Sequence, residues 1–446
     1  MLFKNENQII KNGMTPELKT ARKDVLEILK SAVDAVDPYN IIKSKFHGNK
    51  IILKSKKINL SNFNNIFLIG FGKASVAMAQ GVCDAIDVKK GIVITNNPYK
   101  KVKNKSILTL VGSHPIPNKK SIENTDKILE IVKNCEKNDL LITVISGGGS
   151  ALFCKPRVDI LDYQKTIDLL LKSGANIKEI NTIRKHLSFV KGGQLLTFTK
   201  CSVISFIISD IVGDPMEFIA SGPTYPDSTT YLDSKKIFKK YKLWDKIPFS
   251  TKKVIEDGIK IKIPETIKNN NPILKKTYNF IVANNEIACK AAEKKASELG
   301  YKTKILTTSL TGEAKKVGSF LIKKIKKLNN TKKILFITGG ETTVKVTGKG
   351  KGGRNQEMVL SLVKKIFKNK IVFASFATDG IDGNSDAAGA IADYYTYLRA
   401  QNKKLDPNKF LRENNSYEFF KKLGDLLITN KTGTNVMDIQ ILIKNL

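Results

Sequence analysis

Ile66-Phe67-Leu68-Ile69-Gly70-Phe71-Gly72-Lys73-Ala74-Ser75 runs from a short apolar segment through a glycine turn into a helix-like segment spanning residues 74–83. An apolar run that ends in glycines and opens a helical pattern predicts the first half of a βαβ unit. The same grammar recurs outward along the chain. Gly91-Ile92-Val93-Ile94-Thr95, Ile107-Leu108-Thr109-Leu110-Val111, Leu140-Leu141-Ile142-Thr143-Val144-Ile145 and Val203-Ile204-Ser205-Phe206-Ile207-Ile208 all read as strands between amphipathic stretches. Upstream, residues 24–37 show helical spacing and end at Pro38. Strands alternating with helices predict an α/β fold with a parallel, helix-covered sheet, whose chemistry sits in loops beyond the strand C-termini.

A lysine-rich stretch over residues 260–276 interrupts the alternation, and Asn269-Asn270-Asn271-Pro272 is its most linker-like point. The expected boundary lies there, giving domains at 1–268 and 274–446. Beyond it the pattern restarts with Phe280-Ile281-Val282-Ala283, Thr303-Lys304-Ile305-Leu306-Thr307, Ile334-Leu335-Phe336-Ile337 and Ile371-Val372-Phe373-Ala374. The second domain is therefore expected to be α/β as well. A length of 446 residues suits two domains, and 41% hydrophobic with 26% charged residues is the range of globular chains.

The net charge of +35 raises a nucleic-acid reading, but the cations are scattered from end to end without a basic tail or aromatic interleaving. Solvated helix faces are the expectation, and no nucleic-acid partner. Only six of the 76 basic residues are arginine: Arg22, Arg157, Arg184, Arg354, Arg399 and Arg412. Where lysine is so favoured, a retained arginine in motif sequence, such as Arg354 or Arg184, suits bidentate contact with carboxylate or phosphate. Five cysteines form no CxxC pair, and three histidines are too dispersed for a metal cluster; His186, beside Arg184, is the one to watch. No leader-like stretch or membrane-spanning run is read, so a cytoplasmic location and no membrane are expected.

Thr338-Gly339-Gly340-Glu341, followed by Gly350-Lys351-Gly352-Gly353-Arg354-Asn355-Gln356-Glu357, places glycine, cation and carboxylate between a predicted strand and a predicted helix. That is the vocabulary of a phosphate site. Lys73, at a helix start, and Asp379, in Thr378-Asp379-Gly380-Ile381-Asp382-Gly383, supply the other charges that phosphoryl transfer requires. Ser146-Gly147-Gly148-Gly149-Ser150 can cradle phosphate oxygens, although three glycines also make a flexible turn. Gly70 and Gly72 begin something like a dinucleotide fingerprint. However, the third small position is Ser75, and the next strand leads into Asn96-Asn97-Pro98 with no acid. Asp210 and Asp214 are candidate Mg²⁺ ligands, while Asp382 and Asp386 include at least one turn-former. Glu341 and Glu357 flank Arg354, and either is expected to neutralise it.

Taken together, these segments resemble the class II glycerate kinases (glycerate 2-kinases), whose C-terminal part is known as the MOFRL domain. The likeness is carried by Gly72-Lys73-Ala74, His114-Pro115-Ile116-Pro117, Ser146-Gly147-Gly148-Gly149-Ser150-Ala151-Leu152 and Asn181-Thr182-Ile183-Arg184-Lys185-His186. It continues in Lys191-Gly192-Gly193, Ser209-Asp210, Ser221-Gly222-Pro223-Thr224, Gly353-Arg354-Asn355-Gln356-Glu357, Thr378-Asp379-Gly380 and Thr432-Gly433-Thr434-Asn435. The resemblance implies ATP-dependent phosphorylation of D-glycerate at its 2-hydroxyl, with Mg²⁺. It implies a larger Rossmann-like N-terminal domain and a smaller α/β C-terminal domain, with the active site between them. By motif, Lys73, Arg354 and Asp379 correspond to residues the family is thought to use in catalysis, with Asp210 a further candidate.

On that reading, Gly70, Gly72 and residues 146–150 hold the nucleotide, Lys73 and Arg354 balance charge on the moving phosphoryl group, and Asp379 orients or deprotonates the hydroxyl. Arg184 clamps the substrate carboxylate. The chain departs from the family where Gln194 replaces a second arginine after Lys-Gly-Gly, and where Pro215 follows Asp214. Homodimerisation is left open. The competing enzyme reading is a nicotinamide-dependent hydroxypyruvate reductase, which needs the cofactor fingerprint that residues 70–75 lack.

Overall fold

In the computed structural model, which describes residues 1–53, 56–326 and 333–445, the chain divides into two units. One is Pro38–Val282; the other joins Met1–Asp37 to Ala283–Leu446. The first begins with an antiparallel meander of β1 (Phe46–His47), β2 (Lys50–Leu53) and β3 (Lys56–Asn59). Its main sheet contains β4 (Ile66–Phe71), β5 (Lys90–Thr95), β6 (Ile107–Val111), β7 (Leu140–Ile145), β8 (Ser202–Ile208) and β9 (Thr277–Ala283). The order is β6-β5-β4-β7-β8-β9, and β4 to β8 pair in parallel.

Every residue of β7 is buried, as befits a central strand covered on both faces. From β4 the chain moves outward to β5 and β6, then returns to the other side of β4 as β7 and continues to β8. The gap between the C-terminal ends of β4 and β7 is therefore a topological switch point, the place where open α/β sheets bind ligands.

The second unit carries a mixed sheet of β10 (Lys302–Leu310), β11 (Ile334–Gly340), β12 (Ile371–Ala377), β13 (Gly389–Asp393), β14 (Leu426–Leu427) and β15 (Asp438–Lys444). Its order is β10-β11-β15-β12-β13-β14; β10 and β11 are parallel and every other pair is antiparallel. The last strand in sequence lies near the middle. In its register Asp438 faces Gly340 on one side and Ala377 on the other, so the ends of β11 and β12 and the start of β15 share one edge.

The expected boundary is corrected in two places. Residues 280–283, read as opening the second domain, finish β9 at the margin of the first sheet. The linker-like Asn271-Pro272 forms a 3₁₀ turn leading into that strand, with the Asn271 side chain capping Ile273 N–H. The N-terminal segment also changes sides. The helix Pro16–Asp34, capped by Thr15 and started by proline, buries Leu18, Ala21, Val25, Leu26 and Leu29 in the second unit. Arg22 fixes it there, bonding Asp393 at 2.6 and 2.7 Å and Asp425 at 2.8 Å with all three side chains fully buried. The partners are distant in sequence, so helical spacing alone gave no sign of the pairing. Among the described residues, no helix is long and apolar enough to cross a membrane.

Candidate active site

At the switch point, the loop after β4 and the loop after β7 are bonded to each other. Lys73 N–H donates to Gly147 O at 2.9 Å, Ala74 N–H to Ser146 Oγ at 3.0 Å, and Ser146 N–H to Phe71 O at 3.2 Å. Gly72, at φ +128°, has no room for a side chain against Ser146, so glycine is required there. A Cβ on Gly147 would overlap the Asp210 carboxylate arriving from β8, and one on Gly148 would touch the His114 ring and the Lys73 stem. Lys73, His114 and Asp210 thus surround a stretch of bare backbone. The amides of Gly147 and Gly148 donate to no group among the described residues, leaving two N–H donors in the crevice.

Burial raises the Asp210 carboxyl, while its own backbone amide and the Lys73 ammonium pull it back. Burial and the same ammonium lower His114. The Lys73 side chain is exposed, and its ammonium makes no hydrogen bond or ion pair with the described residues.

The loop is supported from beneath. Ser150 Oγ meets Ser221 Oγ, which meets Asn181 Oδ1, each at 2.9 Å. Lys191, fully buried and pushed down to about 8 by burial, donates to Ser150 O and Phe153 O at 2.8 Å. Gln194 donates to the carbonyls of Lys185, Ser188 and Lys191 and accepts from Arg157 at 2.7 Å. The hydroxyls of Ser146 and Ser150 are therefore engaged within the loop and its support, and the unbonded donors it offers are the backbone amides of Gly147 and Gly148.

Arg184, near the end of the helix Ile177–His186, is half-buried; its guanidinium makes no hydrogen bond or ion pair with the described residues and acts electrostatically on Lys191. Its neighbour His186 is fully buried between Thr182 O at 2.8 Å and Glu265 at 3.2 Å, a structural histidine. Asp214 sits in a turn at φ +54°, its amide bonded to Ile211 O. Among the described residues no group of three or more His, Cys, Asp or Glu side chains is placed to hold a metal ion.

In the second unit, Arg354 opens the helix Arg354–Leu360 at the shared sheet edge. Its guanidinium grips Asp438 through Nε at 2.5 Å and Nη2 at 3.0 Å, and reaches Glu341 Oε1 through Nη1 at 2.7 Å. Burial by itself would lower the Arg354 pKa; the fork on Asp438 and the charge of Glu341 reverse that and hold it above its ordinary value. The side chain keeps 30% exposure, so one edge of the fork faces outward.

Asp382 fixes the helix. Its Oδ1 accepts from Asn355 N–H and Nδ2 at 3.1 and 3.2 Å, and its Oδ2 from Gln356 N–H and Nε2 at 2.9 and 3.1 Å. Burial nevertheless raises this carboxyl to about 6. Asp379 follows β12 at the same edge; its Oδ1 accepts from Ile381 N–H at 3.0 Å, and its backbone carbonyl takes Thr432 N–H.

The two glutamates flanking Arg354 separate. Glu341 pairs with the guanidinium; Glu357 does not, because its position on the helix turns it inward to Asn414 Nδ2 at 2.9 Å. Three residues gained roles that the sequence did not assign: Asp438 as the buried partner of Arg354, Asp382 as the cap of its helix, and His114 as a wall of the crevice. The alternating apolar run Ile439-Gln440-Ile441-Leu442-Ile443 was the available signal for Asp438, since it marks the strand that residue begins.

A family model described as a domain of unknown function, DUF4147, matches residues 24–256, and one described as the MOFRL family matches residues 334–438. The glycerate 2-kinase of Pyrococcus horikoshii is 42% identical over 94% of this chain and 96% of its own length. The chain belongs to the class II glycerate kinase family. The D-glycerate 2-kinase of Thermotoga maritima is 35% identical over 95% of this chain and 98% of its own. A solved glycerate kinase structure from that organism superposes with a TM-score of 0.85, covering 96% of this chain and 100% of that one at 35% identity.

The residues present fit Mg²⁺. This ion is usually held by one or two carboxylates together with substrate phosphates, not by an all-protein cage. Asp210, set against Gly147 beside the unbonded amides, offers one such carboxylate, and a cation beside it would offset the burial that disfavours its anionic form.

Proposed function

We propose that this glycerate kinase phosphorylates D-glycerate at the 2-hydroxyl with ATP, giving 2-phosphoglycerate and ADP. The observation that carries the reading is the crevice at the switch point: Lys73, Asp210 and the unbonded amides of Gly147 and Gly148 at adjoining strand ends. Backbone donors and an ammonium at such a point suit phosphate oxygens. The triphosphate lies against the two glycine amides, and Lys73 balances its charge. Asp210, with Asp214 nearby in sequence, holds Mg²⁺, which supplies neutralisation of phosphate charge.

Arg354 serves the same reaction with the outward edge of its fork, and Asp379 takes the proton as the 2-hydroxyl oxygen bonds phosphorus and the β–γ bridging oxygen leaves with ADP. Arg184 pairs with the glycerate carboxylate. The reductase reading finds no support at residues 70–75, because β5 ends at Thr95 with no acid to take a ribose hydroxyl. A cytoplasmic setting is consistent with five free cysteines.

The test is a coupled ADP assay with D-glycerate, repeated with Lys73→Ala and Asp210→Asn. Both variants are expected to lose at least about 100-fold in kcat. Near-normal turnover in Lys73→Ala defeats the assignment.

A further inference from the structure

The three histidines of the chain are held in different ways. His47 Nε2 is bonded to Ser44 O at 3.2 Å, and His186 uses both ring nitrogens internally. His114 uses neither with the described residues, although its loop is firmly anchored. Gly112 N–H donates to Thr95 O at 2.8 Å, Ser113 Oγ to Ile116 O at 2.6 Å, and Gln164 Nε2 to Pro117 O at 2.6 Å. The ring is thus aimed, with its hydrogen-bonding capacity unused.

Its position is defined by Gly148. A side chain there would meet His114 Cδ2 at 3.0 Å, His114 Nε2 at 3.2 Å and Lys73 Cγ at 3.3 Å. Imidazole and lysine stem therefore stand together over the backbone whose amides are free.

We infer that His114 is a ligand-contacting residue of the crevice, donating an imidazole N–H to an anionic oxygen bound beside Lys73 and Gly148. The inference deepens the kinase reading and rests on it for the identity of the anion. That oxygen belongs either to the triphosphate or to the carboxylate of the three-carbon acid; both offer the same acceptor chemistry. Burial and the Lys73 ammonium both lower the ring's pKa, which favours the neutral imidazole in the free protein, and a neutral imidazole still carries one N–H donor. A neutral donor also fits a site where the cation is already present.

Three histidines make the ring signals few enough to assign, with His114→Gln removing one. The imidazole resonances of the full-length protein are to be followed while a non-hydrolysable ATP analogue with Mg²⁺, and separately D-glycerate, are added to saturation. A shift of the His114 signal with the analogue assigns the oxygen to phosphate; a shift with D-glycerate assigns it to the acid; either supports the inference. No shift with either ligand, each shown to bind by calorimetry, overturns it. In kinetics, His114→Gln and His114→Phe are expected to lower kcat/KM at least tenfold, with Gln retaining more than Phe and both folded by circular dichroism; unchanged kcat/KM in His114→Phe also overturns it. Failure of the wild-type protein to phosphorylate glycerate, with the analogue still moving the His114 signal, sinks the kinase reading and leaves this contact standing.

Discussion

Arg354 grips Asp438 through two parallel hydrogen bonds, Nε at 2.5 Å and Nη2 at 3.0 Å, on a carboxylate with no exposed side-chain surface. Removing the guanidinium strands a buried charge, which typically costs about 3–5 kcal/mol. Arg354→Ala is therefore expected to lower both stability, read by urea unfolding, and kcat. Arg354→Lys keeps a charge but not the fork, so kcat should still fall by at least about tenfold. Full activity in Arg354→Lys would show that the planar fork is irrelevant.

Asp382 predicts a pH dependence with a definite sign. Its carboxyl is raised from 3.8 to about 6 in the folded protein, so the native state holds its proton over a range where the unfolded chain has released it. Its contribution to stability is accordingly highest below about pH 4 and is lost as pH rises to about 6. Relative to Asp382→Asn, the wild-type protein should lose up to about 3 kcal/mol between those limits, at about 1.4 kcal/mol per pKa unit. Urea midpoints of both proteins at pH 4, 5, 6 and 7 measure the difference. A constant difference across the series contradicts it. Arg354, Asp438 and Glu357 also act electrostatically on this carboxyl, so their own titrations are best compared within the same pair of proteins.

Gly147→Ala places a methyl where the Asp210 carboxylate lies. The carboxylate has to move, and misplacement of a reacting group by about 1 Å can cost on the order of 100-fold in rate. Loss of kcat with a melting temperature within a few degrees of wild type is expected. An active Gly147→Ala enzyme would place Asp210 outside the chemistry.

Arg22→Ala tests the placement of the first 37 residues. Asp393 and Asp425 lose their buried partner, although Arg399 still contacts Asp425. The expected loss is about 3–5 kcal/mol in denaturant unfolding, with kcat of the folded enzyme unchanged within about twofold. A loss below about 1 kcal/mol would mean the network does not fasten the helix.

The parallel strands β4, β5, β7 and β8 were legible because strands buried on both faces are written as apolar runs, and β6, although only partly buried at the sheet edge, carries Ile, Leu and Val in the same way. β13 was not, since Gly389-Ala390-Ile391-Ala392-Asp393 has small side chains and little pattern. β15 was passed over because its opening residues read as a motif tail. Asn269-Asn270-Asn271-Pro272 punctuates the chain, but a turn between two elements of one unit carries the same residues as a linker. In the site, Lys73 and Arg354 stood out as charges beside glycines, and Asp210 as an acid just beyond a strand. Their partners did not: Asp438 lies 84 residues from Arg354, and His114 meets Gly148 only because two loops converge at one sheet edge. Sequence order carries no trace of such closures.

The most direct test of the central claim is incubation with ATP, Mg²⁺ and D-glycerate, followed by ³¹P NMR of the product. The kinase account predicts stoichiometric ADP and 2-phosphoglycerate, with Lys73→Ala forming neither at a comparable rate. ATP left intact under conditions where the wild-type protein binds both ligands, or 3-phosphoglycerate as the sole product, would contradict it.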